Sequence, residues 1–401
     1  MSDILDRIEM IGELVLLKLL TLGVLFGRPP PPLLTVDEVF KHSHLIDELV
    51  DIRYYYLRFY EDLIQSYQII EEYVNIYSMW LDPNWNYRKS HVIVGSSSGS
   101  VTNYQIRIIV HYGSGTDSGE HVYLNGKCRA DFGDIRFTAD DKVTLLPYWI
   151  ERKVDGDYAV FWVKIPYIPL YPDTTFIYVY YGNPNATTTS NGAETFHFYS
   201  DWESGTLEDW TIRNGGGGGY GEIVFLDGSY QLKLYAPNTL NRVTAHKSCS
   251  TDQAGYRIKL RHKTGGTVGD GITFGFSDGS SRVPSDDNPN NGYLFFFARE
   301  QNREHSICKF VNGTWYKIVN TSGSASGNTY YILDFSWYST TLRAFINETQ
   351  ILNCSDTSFS SFTSMHIGVD WYDDYFDWIF VRRYIEPEPS HGAWGSEETK
   401  P

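Results

Sequence analysis

The sequence predicts a mainly β protein: two antiparallel β-sandwich domains of jelly-roll type, preceded by an α-helical anchor and a coiled-coil stalk. Three observations lead there. Of 401 residues 16% are aromatic and only 20% charged, with 31 Tyr and 35 Gly, a composition that suits short strands joined by turns. From residue 84 onward apolar and polar residues alternate with period 2. Examples are Gln105–Tyr112, Tyr158–Ile165, Thr175–Tyr181, Tyr230–Tyr235, Tyr256–Leu260, Gly292–Phe297 and Leu342–Ile346. Turn signals such as Asn125-Gly126 and Asp155-Gly156 fall between the first of them. Before residue 84 the period lengthens to that of helices.

The helical part divides at Pro29–Pro32, a stiff extended spacer that cannot continue a helix. Within residues 1–32 runs GELVLLKLLTLGVLFGRPPPP, the most apolar stretch of the chain. Asp3, Asp6, Glu9 and Glu13 precede it, and no small-residue cleavage site follows, which argues against a secretion signal. Lys18 interrupts it, and a central lysine costs about 3 kcal/mol on membrane-insertion scales. Leu5, Ile8, Gly12, Val15, Leu19, Leu22 and Phe26 keep a heptad, and further leucines widen the apolar surface. The expectation is a docking helix buried on several sides, in a virion or envelope protein or among its own copies, with membrane contact an open alternative.

Residues 33–83 carry the most regular periodicity. Ile46, Leu49, Tyr56, Tyr60, Leu63, Tyr67, Ile70, Val74, Tyr77 and Leu81 alternate three- and four-residue spacings, with Arg53 the one charged intruder. A seam repeating every 3.5 residues keeps facing a partner helix. Bulky tyrosines suit a homo-oligomer of three or more chains better than a tight dimer. The alternative is an amphipathic helix packed on its own domain.

The β region splits into a first sandwich over 84–198, a second over 199–386 and a C-terminal tail over 387–401. A net charge of −16 without a basic stripe excludes nucleic acid as a partner. Cys128, Cys249, Cys308 and Cys354 stand far apart, so thiolate metal spacing is absent, and disulfides are allowed but not demanded. N-x-S/T sequons begin at Asn185, Asn312, Asn320, Asn347 and Asn353, candidate glycosylation sites on an outer surface. The histidines form no H-E-x-x-H set, and neither a G-x-S-x-G elbow nor a phosphate loop occurs. No catalytic residues are assigned, and no cofactor is required.

Four ordered motifs carry a resemblance. Trp85-Asn-Tyr-Arg-Lys89, Asp131-Phe-Gly-Asp-Ile-Arg-Phe-Thr138, Trp162-Val-Lys-Ile-Pro166 and Tyr178-Val-Tyr-Tyr-Gly-Asn183 together resemble an uncharacterised, mostly archaeal and bacterial extracellular family over roughly residues 85 to 190. That family brings no activity with it. The second sandwich opens Phe198-Tyr-Ser-Asp-Trp-Glu-Ser-Gly-Thr-Leu-Glu-Asp-Trp210 and closes Phe376-Asp-Trp-Ile-Phe-Val-Arg-Arg-Tyr384, followed by Pro387-Glu-Pro-Ser-His-Gly-Ala-Trp-Gly-Ser-Glu397. These resemble the first and last strands of concanavalin-A-like or laminin-G-like jelly rolls. The resemblance implies glycan binding and a structural calcium between the terminal strands, which here would take Asp201 or Glu203 and Asp377. Surface acids beside a strand read the same way.

Glycosidase-type paired carboxylates are not found; the nearest stretch, Asp370–Asp377, lacks glutamate and the required spacing. Within it Trp371, Tyr372 and Tyr375 could stack on sugar rings while Asp373 or Asp374 accepts hydroxyl hydrogen bonds; a turn whose aromatics simply pack is the alternative. Anchor, stalk and lectin-like head together are the plan of an oligomeric surface spike or attachment protein of an archaeal virus, binding host-surface glycans. A structural coat or filament subunit, a sugar-independent adhesin, and a secreted polysaccharide-processing enzyme are the rivals.

Overall fold

A computed structural model describes residues 58–59, 61–69 and 80–400, apart from 215–216, 238–241, 253–254, 266–270, 281–288 and 300–302. The docking helix, and of the stalk seam Ile46, Leu49, Tyr56, Tyr60, Ile70, Val74 and Tyr77, lie outside the described residues. The chain forms two compact units, 1–75 and 76–401. In the first, residues 58–59 and 61–69 are helical, with Leu63 half-buried and Tyr67 exposed. Leu81, expected as the last seam residue, sits in a bend of the second unit. Beside it Trp80 is buried against Tyr180, with the Arg88 guanidinium over its ring at 4.3 Å. Among the described residues no helix is long and apolar enough to cross a membrane.

The second unit holds both sandwiches. In the first, the strands are β1 (Tyr87–Val94), β2 (Val101–His111), β3 (His121–Tyr123), β4 (Arg136–Thr138), β5 (Tyr148–Val154), β6 (Tyr158–Ile168) and β7 (Thr174–Tyr181). A short helix, Gly192–Thr195, leads out of it. The second comprises β8 (Phe198–Ser200), β9 (Thr211–Asn214), β10 (Tyr220–Leu226), β11 (Ser229–Ala236), β12 (Val243–Asp252), β13 (Tyr256–Thr264), β14 (Ile272–Ser277) and β15 (Gly292–Arg299). It continues with β16 (Glu304–Val311), β17 (Thr314–Ser322), β18 (Tyr330–Tyr338), β19 (Thr341–Ile346), β20 (Thr349–Ser355), β21 (Ser361–Val369) and β22 (Tyr372–Arg383). Two strands then remain, β23 (Ser390–Trp394) and β24 (Glu398–Thr399).

Those last two strands correct the domain plan. Residues 387–401 are not a tail: β23 and β24 pair antiparallel with β1 and complete the first sandwich. Its sheets run β23-β1-β7-β4, with β24 also beside β1, and β3-β2-β6-β5. All pairings are antiparallel except β2 with β3. The core between them includes Ile108, Phe137, Phe161 and Val179. Burying each such side chain contributes about 1.5–3 kcal/mol.

In the second sandwich an eight-stranded sheet, β10-β11-β22-β13-β18-β19-β20 with β8 beside β22, faces a seven-stranded one, β17-β16-β15-β14-β21-β12-β9. The first and last strands do pair, Ser200 opposite Ile379. Strand β13 shows how alternation fixes the faces. Ile258, Leu260 and His262 point into the core, while Arg257, Lys259, Arg261 and Lys263 line the outer face. The β10–β11 hairpin turns on Asp227-Gly228, both with positive φ (53° and 94°), a mirror-image turn that matches strand twist.

Candidate functional site

The family-like motifs of the first sandwich build its frame. Asp134 is buried and its carboxylate accepts the backbone N–H groups of Arg129, Gly182 and Asn183, while the Trp85 indole donates to its carbonyl. Arg136 donates to the carbonyls of Ile135 and Thr187 beneath the Trp85 ring. Arg88 pairs with Glu398 on β24, and Lys89 with Asp117. Buried cations and carboxylates with every partner supplied hold loops in place.

The two sandwiches touch. Trp149 and Trp162 of the first pack against Phe196, Trp378 and Phe380, with Phe196 stacked on Phe380 at 3.9 Å between centroids. Beside this dry cluster Lys259 meets Glu151 at 3.2 Å, and the Trp162 indole donates to the same carboxylate at 2.7 Å. Arg107 pairs with Glu120 of its own sandwich and with Glu348 of the other. Arg382 bonds Glu388, and the cleft of about 390 Å³ here is walled by both sandwiches. Its cations all have carboxylate partners, so it reads as an interlocking seam.

The first sandwich covers only part of the eight-stranded sheet. On the rest of the outer face, strand register brings together Tyr220 of β10, Lys233 and Tyr235 of β11, Asp373 and Tyr375 of β22, Lys263 and Arg261 of β13 and Tyr330 of β18. Lys233 donates to the Tyr220 hydroxyl at 3.1 Å and lies 3.6 Å from Asp373. Burial opposes its charge, but Tyr220 and the neighbouring carboxylates prevail and raise its pKa. The Arg261 guanidinium sits 3.8 Å from the Tyr330 ring centroid and pairs with Asp377. Lys263 and the Tyr330 hydroxyl both donate to Asp227.

This face runs into a cleft of about 530 Å³ against the first sandwich, lined by Trp149, Tyr199, Glu203, Arg261, Tyr330 and Trp378 among others. Asp201 and Asp377 line it too, so the three acids expected at a calcium share one cleft. Their engagements do not fit that ion. Asp377 is held by Arg261 and accepts from the Ser229 hydroxyl at 2.6 Å, and Asp201 accepts from the Tyr199 hydroxyl at 2.8 Å. Among the described residues no three His, Cys, Asp or Glu side chains converge as a metal set, whereas calcium needs six or more oxygens. Burial, with the charges of Asp201, Asp377 and Glu208, raises the Glu203 carboxyl against the Tyr230 N–H it accepts.

The five residues expected to contact glycan do not share a face. Asp373 and Tyr375 lie on the open face, the Tyr375 hydroxyl 3.4 Å from Asp373. Trp371 stacks on exposed Tyr372, centroids 4.8 Å apart, just before the strand is fully paired. Asp374 is corrected outright: strand alternation turns it inward, where it is wholly buried and bonds His262 at 2.7 Å. Tyr220, Lys233, Arg261 and Tyr330 were missed because their convergence depends on a register five strands wide, from β10 to β18. All five sequon asparagines are exposed, and all four cysteines are free thiols.

Comparison with known proteins finds a likeness over part of the chain. Residues 131–213 match the family model described as "Domain of unknown function (DUF2341)". The match spans the Asp131 motif, the end of the first sandwich and the entry to the second. No curated protein sequence matches the chain. Among solved structures it is similar to the carbohydrate-binding module CBM66 from Bacillus subtilis, at 15% identity over 43% of this chain and 94% of that one, TM-score 0.34. It is also similar to a protein of unknown function with a galectin-like fold from Bacillus subtilis (11%, 46% and 94%, TM-score 0.37). A third is a β-glucanase of Bacillus licheniformis (11%, 47% and 98%, TM-score 0.34). At these values the likenesses assign neither ligand nor activity to this chain.

Proposed function

We propose that this chain is a glycan-binding attachment protein whose two-sandwich head reads sugars on the open half of the eight-stranded sheet. The observation that carries the reading is the row of tyrosines, Tyr220, Tyr375 and Tyr330, set among Lys233, Asp373, Arg261 and Asp377 and ending in a cleft of about 530 Å³. A sugar ring offers an apolar C–H face and a rim of hydroxyls. Aromatic faces meet the first, and charged donors and acceptors meet the second. The chain binds without turnover in this reading, and needs no cofactor.

Presentation completes the proposal. Residues 33–75, the stalk less the part that belongs to the head unit, gather three or more copies, and residues 1–32 dock them in a virion or envelope protein. The finest form of the reading is the spike of an archaeal virus exposed at the virion surface. Several weak sites on one stalk gain avidity of 10²–10⁴ without a tight single contact. The test is a glycan array probed with the full chain and with Tyr220→Ala/Tyr375→Ala. Selective binding that falls at least tenfold in the variant supports the site. Binding unchanged by the variant removes the site, and binding to no glycan removes the function.

A further inference from the structure

Four of the five sequons converge in the fold on one lateral edge of the second sandwich. Strand β17 ends the seven-stranded sheet and β20 ends the eight-stranded sheet, and the two lie against each other. Asn312 stands in the turn entering β17 and Asn320 near its end; Asn347 stands in the turn entering β20 and Asn353 within it. All four are exposed. Asn185 is remote, in a loop of the first sandwich.

Hairpin chemistry accounts for two of these asparagines. Asn312 and Asn347 have φ of 50° and 47°, the left-handed conformation in which Asn is favoured. Asn320 spends its side-chain N–H on Glu304 at 2.8 Å. Asn353 is different. It is exposed inside a strand, where Asn is disfavoured, and its side chain makes no hydrogen bond among the described residues. Local structure gives no reason for it.

The edge itself needs a cover. Among the described residues β17 pairs only with β16, and β20 only with β19, so each presents backbone groups unpaired by them on its outer side. Trp315 and Tyr316 are 39% and 48% exposed there. An open, apolar strand edge is a template for pairing with another chain. We infer that this edge is N-glycosylated at Asn312, Asn347 and Asn353, and that the glycans cap both sheets against edge-to-edge association. A branched sugar is bulky and solubilising, so it blocks a neighbouring strand without altering the sheet. This inference is independent of the sugar-binding face, which is built on β10, β11, β22, β13 and β18 and uses neither β17 nor β20.

The full chain, secreted from an N-glycosylating eukaryotic host, is treated with a glycan-releasing amidase and mapped by peptide mass spectrometry. Conversion of Asn353, Asn312 and Asn347 to aspartate is expected. Sedimentation then compares it with Thr314→Val/Thr349→Val/Ser355→Ala, which removes the three sequons and keeps every turn asparagine. The variant is expected to shift to larger species, and adding Tyr316→Lys to reverse the shift. An unmodified Asn353, or identical sedimentation with and without the sequons, overturns the proposal.

Discussion

Glu151 of the first sandwich and Lys259 of the second face each other at 3.2 Å with side chains only 1% and 4% exposed. Their contact lies in the seam between the two sandwiches, beside the aromatic cluster of Trp149, Trp162 and Phe380. Lys259 also lies 3.4 Å from the part-exposed Glu348. Losing Glu151 therefore weakens rather than abolishes its compensation, and costs less than the roughly 3–5 kcal/mol of a wholly unpaired buried charge. Glu151→Ala is therefore expected to lower the calorimetric melting temperature of the head. Glu151→Leu/Lys259→Met is expected to recover most of the loss, because an apolar pair carries no desolvation penalty.

The C-terminal strands supply a second test. A chain ending at Glu386 lacks β23, β24 and the Glu398 partner of buried Arg88. It is expected to lose cooperative unfolding of the first sandwich while the second, closed by β22, persists. Hydrogen exchange reads this directly: amides of β1 and β7 lose protection and those of β13 keep it.

Acid sensitivity is built into the same seam. His91 and His391 share a hydrogen bond at 2.9 Å between ring nitrogens. Burial, then the neighbouring His391, pulls the His91 pKa down to about 3, and burial lowers that of His391 too. A histidine depressed in the fold is neutral there, while the unfolded chain takes up its proton near 6.5. Stability is thus complete above about pH 6.5 and lost as pH falls from there towards 3, by about 1.4 kcal/mol per pH unit for His91. Thermal unfolding between pH 7.5 and 5 measures the slope, and His91→Gln is expected to reduce it by the His91 share alone, since burial lowers His246 and His366 as well.

Burial also silences the thiols. It pushes Cys128, Cys249 and Cys354 up to about 12 and raises Cys308 as well. Since the thiolate is the reactive form, alkylation of native protein at pH 8 is expected to be slow at all four positions. Prompt labelling of all four is expected after denaturation, by mass spectrometry.

Strand periodicity was legible where one face of a strand meets a core. Tyr256–Leu260 announces itself because Ile258 and Leu260 are buried between lysine and arginine. The same alternation places Asp374 inside, yet beside Asp373 and among aromatics it reads as surface. Nothing local distinguishes a solvated acid from one paired with His262, 112 residues away. Leu81 kept the heptad spacing and still lies in a bend, because Trp80 is drawn into the packing against Tyr180 and Arg88.

By itself the sequence determined the class of the protein, the two β regions, the turns at Asn and Gly, and the absence of familiar catalytic motifs. Those are properties of neighbours along the chain. The tertiary structure decided the return of residues 390–399 to β1, the closing of the two sandwiches on each other, and the gathering of Tyr220, Tyr375 and Tyr330 on one face. Strand pairing has no sequence-local signature: which distant strands meet, and in what register, is set by the summed burial of both faces. Only the folded sheet therefore shows which side chains stand together.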